Sequence, residues 1–249
     1  MKPKEYILLI LFFAIGIFLS GCEENVALEY EDDPALYFAY EQYGQKDSIS
    51  QSFFVIHSSQ LRDTVYVKVN TMGNLKDFDR AIKLKQTNEG EANAAIAGVH
   101  YIAFDSEELA GKIFVAAGEN YVNVPVILLR DPSLELSEYR LALTIDQNEY
   151  FRPGINTLTH FVVKTSSLAV KPSTWAKYWR YQFGTSWGSV KMRFIIDATG
   201  VTEWEVLPSD YSYGTFLGAQ VKAKFEQYNK EHPNDPLKEA DGTLVSFTS

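Results

Sequence analysis

Between Ala35 and Thr165 apolar and polar residues alternate with a period of two. In DTVYVKVN, Val65, Val67 and Val69 fall on one side and Tyr66 and Lys68 on the other; RAIKLKQ sets Ile82 and Leu84 against Lys83 and Lys85, and YRLALTID repeats the pattern with Leu141, Leu143 and Ile145. Side chains of a strand point alternately to its two faces, so each stretch predicts a half-buried strand. NYVNVPVILL lines up Val122, Val124, Val126 and Leu128, and Pro125, which has no N–H for a ladder, marks an edge strand or a bulge. With ALYFAY, SFFVI, KIFV and THFVVK this makes roughly eight short strands, and the protein reads as mainly β, a β-sandwich over residues 35–167.

After KPS, residues 171–173, the period changes. TWAKYWRYQF spaces Trp175, Tyr178, Trp179 and Phe183 on one helical face, and SYGTFLGAQVKAKFEQYNKEHP sets Phe216, Leu217, Val221, Phe225 and Tyr228 along a stripe that Pro233 stops. Residues 190–198 fit either a strand, through Val190, Met192, Phe194 and Ile196, or a helix, through Val190, Phe194, Ile195 and Ala198 ended by Gly200. A smaller, largely helical C-terminal module is expected over residues 174–249.

The N-terminus reads as targeting. Lys2 and Lys4 precede an uncharged run from Ile7 to Leu19, the length of a signal-peptide core and too short to span a bilayer. Leu19-Ser20-Gly21-Cys22 matches the lipobox of bacterial lipoproteins, which makes residues 1–21 a signal peptide and Cys22 the lipidated first residue of the mature chain. Multiple acyl chains give the durable attachment that one chain lacks. Glu23 and Glu24 resemble the export signal that sends lipoproteins of Bacteroidota to the outer face of the outer membrane, and residues 22–34 form an acidic tether.

Charge narrows the partners. The net charge of −9 becomes −10 once Lys2, Lys4 and Glu5 leave with the signal, and no Lys/Arg cluster exists, which argues against nucleic acid. With the sole cysteine acylated, the fold is held by burial without a disulfide.

Catalytic and metal chemistry is sparse. GTSWG fits G-x-S-x-G with Ser186 as nucleophile, and Asp210 and His232 follow in the order of an α/β-hydrolase triad. The nucleophile elbow needs a strand before the serine, and here an aromatic helix precedes it; the triad stands only as a weak hydrolase alternative. His57, His100, His160 and His232 lie far apart, with no metal-binding spacing, so neither a metal nor a cofactor is expected. The aromatic group of Trp175, Tyr178, Trp179, Tyr181, Phe183 and Trp187 is the remaining candidate. Packing is its first reading; as a ligand or partner contact it would use Tyr181 and Trp187, which leave the stripe, together with Trp175 and Trp179.

Gly98, His100-Tyr101, the AAGE turn at 116–119, the strand ending Leu129-Arg130-Asp131 and RLALTI together resemble a Calx-beta-type domain, an immunoglobulin-like sandwich. The acids Asp105, Glu107, Glu108 and Asp131 do not reproduce that family's calcium cluster, so the resemblance implies the fold and not the metal. Taken whole, with YFAY, DTVYVKV, GVHY and RFIIDATGVTEW, the chain resembles a family of uncharacterised Bacteroidota lipoproteins that accompany SusC/SusD-like uptake systems. That resemblance implies a non-catalytic, cell-surface accessory binding component for a glycan or peptide. A surface hydrolase and a structural adhesin or assembly factor are the alternatives.

Overall fold

The computed structural model describes residues 33–40, 47–208 and 210–247. The signal box Leu19 to Gly21, Cys22, Glu23 and Glu24 lie outside them. From Asp33 onward the chain forms one compact unit.

Ten strands form in chain order: β1 (Ala35–Phe38), β2 (Ser48–Ser52), β3 (Arg62–Met72), β4 (Arg80–Ala81), β5 (Lys83–Gln86), β6 (Phe114–Val115), β7 (Tyr121–Leu129), β8 (Tyr139–Asp146), β9 (Arg152–Pro153) and β10 (His160–Ser166). One sheet has the order β7-β3-β1-β9, a second β2-β10-β8-β5, and β4 pairs with β6 alone. The sheets are mixed, because β1 runs parallel to β9 and β2 parallel to β10 while the other pairs are antiparallel.

Alternation does what the pattern requires. Val65, Val67 and Val69 of β3 and Val124, Val126 and Leu128 of β7 are buried together with Leu141, Leu143 and Ile145 of β8, whereas Tyr66, Lys68, Lys83 and Lys85 stay exposed. Pro125 sits in β7, the edge strand of its sheet, where a missing N–H breaks no ladder. Gly118 makes the expected turn at φ +76, a conformation that a side chain would strain. One strand expectation is corrected: of SFFVI, only Ser52 lies in a strand, and Phe53–Val55 form a 3-10 turn whose N–H at Phe54 is accepted by the Ser52 hydroxyl.

A helical part follows, and the protein is mainly β with a helical C-terminal region. A π-turn, Trp175–Trp179, runs into α1 (Arg180–Phe183); α2 (Ser189–Thr199) and α3 (Tyr211–Glu231) complete it. The ambiguous stretch 190–198 is therefore helix, ended by Gly200 at φ +70, as in an αL cap. Trp175, Trp179, Phe183, Met192, Ile195, Trp204, Leu217, Val221 and Phe247 form a second core distinct from that of the sheets. Phe216 departs from its expected stripe and is 61% exposed, because the buried face of α3 passes through Gly214, Leu217, Gly218 and Val221. The two glycines are needed there: a Cβ on Gly218 would lie 3.0 Å from the Gln182 carbonyl oxygen, and one on Gly214 would collide with the Tyr178 ring and hydroxyl. None of the helices among the described residues is long and apolar enough to cross a membrane.

Candidate functional site

A concavity lies between the end of β1 and the start of β2, which belong to opposite sheets. β1 is only four residues long beside the eleven of β3, and the chain next appears as β2 at the edge of the opposite sheet. The open groove between them, of about 840 Å³, is lined by Ala39, Tyr40, Ser48, Ile49, Ser50, Tyr66, Lys68 and Phe161. Ile49 and Phe161 belong to the sandwich core or pack against it and form the apolar lining.

Tyr66 is 63% exposed because it occupies the outward side of β3. On the same face, the Lys68 ammonium lies 4.5 Å from the centroid of the Tyr121 ring, and Lys68 has no carboxylate partner among the described residues. Tyr40 is fixed by donating its hydroxyl to the His160 carbonyl at 2.6 Å; burial, and secondarily the charge of Asp47, pushes its phenol above the usual range. The arrangement offers an aromatic platform, a cation and serine hydroxyls along an apolar lining, which suits an amphipathic chain. Sequence reading placed Tyr66 and Lys68 on the polar face of a strand but could not single them out. Their site depends on β1 ending early, which no local pattern reports.

The residues singled out from sequence are scattered. Trp175 and Trp179 are each 1% exposed, their indole N–H groups donating to the carbonyls of Thr185 at 3.3 Å and Trp204 at 3.0 Å, so they are core residues and present nothing to a ligand. Tyr181 is 61% exposed, with the Arg180 guanidinium 5.0 Å from its ring centroid. Trp187, expected at the surface, is half-buried against the helical core.

Ser186, Asp210 and His232 do not converge. Asp210 caps the N-terminus of α3 by accepting from Ser212 N at 2.8 Å, and His232 stands at the other end of that 21-residue helix. At 1.5 Å rise per residue the two are separated by roughly 30 Å. Ser186 lies between two helices without the strand an elbow requires.

Other titratable groups are structural. Among the described residues no three His, Cys, Asp or Glu side chains gather as metal ligands. His100 is buried; Ile96 N donates to its Nδ1 at 3.0 Å, Nε2 meets the Ser133 hydroxyl at 2.9 Å, and burial lowers its pKa against a smaller upward pull from Asp131. Glu108 pairs with Arg62, and Asp131 accepts from Ser133. Lys191 is buried, donates to the Ser186 carbonyl at 3.0 Å, and lies over Trp175 and Phe247. Burial pulls it down to about 8, against the upward influence of Glu239.

Residues 30–201, more than half of the chain, match the family model described as Domain of unknown function (DUF4843). The chain belongs to this family. The DUF4843 match spans both sheets and ends just after α2. No curated protein matches. Among solved structures, the chain is similar to a Bacteroides ovatus protein provisionally described as carbohydrate binding, at 9% identity and TM-score 0.34, over 54% of this chain and 37% of that one. A two-domain Bacteroides fragilis protein of unknown function is 14% identical at TM-score 0.34, over 55% and 47% of the two chains. A second Bacteroides ovatus protein, of unknown function, is 13% identical at TM-score 0.37, over 52% and 43%. This chain spans less than half the length of each.

Proposed function

We propose that this DUF4843 protein is a non-catalytic binding component displayed on the outer membrane of a Bacteroidota cell, tethered through acylated Cys22 and serving a SusC/SusD-like capture system for glycans or peptides. The lipobox Leu19 to Cys22 and the acids Glu23 and Glu24 support the address. In this reading the two four-stranded sheets are an immunoglobulin-like, Calx-beta-type sandwich, residues 35–167, carrying a helical module, residues 174–249. The observation that carries the function is the groove beside β3, where exposed Tyr66 stands next to Lys68, which has no carboxylate partner among the described residues, above an apolar lining. An exposed aromatic ring gives stacking area at little conformational cost, and such rings dominate binding energy.

The test is binding of the purified protein to glycan and peptide arrays, with Tyr66→Ala as the comparison. Loss of at least tenfold in affinity with unchanged melting temperature is expected. Equal binding by the variant, or no binding by either protein, would remove the groove as the site.

A further inference from the structure

A second, smaller pocket of about 280 Å³ opens at the seam between the sheets and the helices, and both parts build it. Glu135 comes from the 3-10 turn Pro132–Glu135 and Ser167 directly follows β10, while Ser189, Val190 and Arg193 belong to the first turns of α2 and the buried Phe54 adds an apolar lining. It shares no residue with the groove at Tyr66. Ser167 is 5% exposed; its N–H donates to the Leu134 carbonyl at 2.7 Å, but its hydroxyl, like that of Ser189, has no partner among the described residues. A buried hydroxyl left unpaired costs free energy, so this one calls for a partner inside the pocket.

The Arg193 guanidinium donates to the carbonyls of Ile56 at 2.8 Å and Phe53 at 3.4 and 3.5 Å, and these three contacts leave at least two of its five N–H groups free. None of the ion pairs among the described residues involves Arg193 or Glu135. Burial lowers the pKa of the guanidinium, and Asp197 and then Glu135 pull the other way, so Glu135 acts on Arg193 without pairing with it. One pocket thus holds a cation and an anion that do not neutralise each other by contact.

We infer that the seam pocket binds a free apolar α-amino acid as its zwitterion, with the carboxylate on Arg193 and the hydroxyls of Ser167 and Ser189, the ammonium on Glu135, and the side chain against Phe54 and Val190. Charge decides the class. An anion alone would be repelled by Glu135 and a cation alone by Arg193, whereas a molecule carrying both signs a few bonds apart answers both residues with charge-assisted hydrogen bonds. Size agrees: ligand pockets run from about 300 to 1,000 Å³, so a pocket at the lower end suits a molecule no larger than one amino acid. The site adds to the groove and does not depend on it. Because its lining comes from both sides of the seam, the bound amino acid would also hold the helices against the sheets.

The probe is L-leucine, titrated calorimetrically into the purified protein beside N-acetyl-L-leucine, which lacks the ammonium, and L-leucinamide, which lacks the carboxylate. Leucine is expected to bind and to raise the melting temperature, as any ligand of the folded state does, and each analogue to lose at least tenfold in affinity. Glu135→Gln should weaken leucine several-fold and narrow its advantage over N-acetyl-leucine, a change that a merely structural role would not produce. Ser167→Ala, which keeps the backbone bond to Leu134, should weaken leucine several-fold without lowering the melting temperature of the unliganded protein. The analogue comparison stands even if a variant fails to fold. No binding of leucine or another apolar amino acid at millimolar concentration, equal affinity for either analogue, or unchanged affinity in both variants overturns the inference. Tyr66→Ala should bind leucine as the wild type does, so failure of the glycan and peptide arrays removes the groove and leaves this site standing.

Discussion

Phe53 and Phe54 are neighbours in the chain and are buried in different cores, Phe53 among the strands and Phe54 among the helices. Their 3-10 turn lets consecutive side chains diverge. Each ring carries its own guanidinium, Arg130 5.3 Å from the Phe53 centroid and Arg193 4.9 Å from that of Phe54. Both arginines also donate to the turn: Arg130 to the Phe53 carbonyl at 2.6 Å and Arg193, from α2, to the Ile56 carbonyl at 2.8 Å. Asp197 completes the seam by accepting from Ser58 N at 2.7 Å.

Phe54→Ala should therefore loosen the helices before the sheets. Truncating a buried phenylalanine costs about 3 to 5 kcal/mol. All four tryptophans lie between residues 175 and 204, so their fluorescence reports the helical part, whereas circular dichroism near 217 nm reports the strands. In urea, the fluorescence midpoint of the variant should fall below the dichroism midpoint. Coincident shifts of both probes would show that the two cores unfold as one.

Glu239 should behave as a remote cap. Its carboxylate accepts from Val190 N and Lys191 N, both at 2.9 Å, at the start of α2, and Gly188 leaves it room. Glu239→Ala strands two helix-terminal donors and should cost about 1 to 3 kcal/mol by denaturant titration. Glu239→Gln, which keeps one acceptor oxygen, should lose less.

Stability should rise with pH because of Lys191. Its pKa falls from 10.5 to about 8 on folding, so between those values the unfolded chain holds the extra proton and deprotonation favours the fold. The melting temperature should climb from pH 8 towards pH 10. Above that, Tyr40, Tyr101 and Tyr178, all raised chiefly by burial, ionise first in the unfolded chain and pull stability down. Lys191→Met should be the more stable protein at pH 7 and should lack the rise; a parallel profile would show that another group causes it.

The proposed membrane anchor rests on one thiol, that of Cys22. Cys22→Ala should shift the protein from the membrane to the soluble fraction and abolish labelling by a palmitate analogue. Continued labelling would place the anchor elsewhere.

The period-two alternation around Val65, Val67 and Val69 and the helical spacing of Trp175, Trp179 and Phe183 were legible because each depends on neighbours within one element, where backbone geometry fixes which side chains share a face. The same locality explains the failures. Phe216 obeys a helical stripe as well as Leu217 does, and only the close approach of α3 to Tyr178 and Gln182, permitted by Gly214 and Gly218, decides which face is buried. The spacing of Ser186, Asp210 and His232 imitates a triad in one dimension, yet the helix starting at Tyr211 holds the last two apart. The groove was invisible for a related reason. It lies where the pairing of β1 with β3 ends and is lined by residues from distant parts of the chain, so Tyr66 and Lys68 come to stand beside Ile49 and Phe161 only through the tertiary structure.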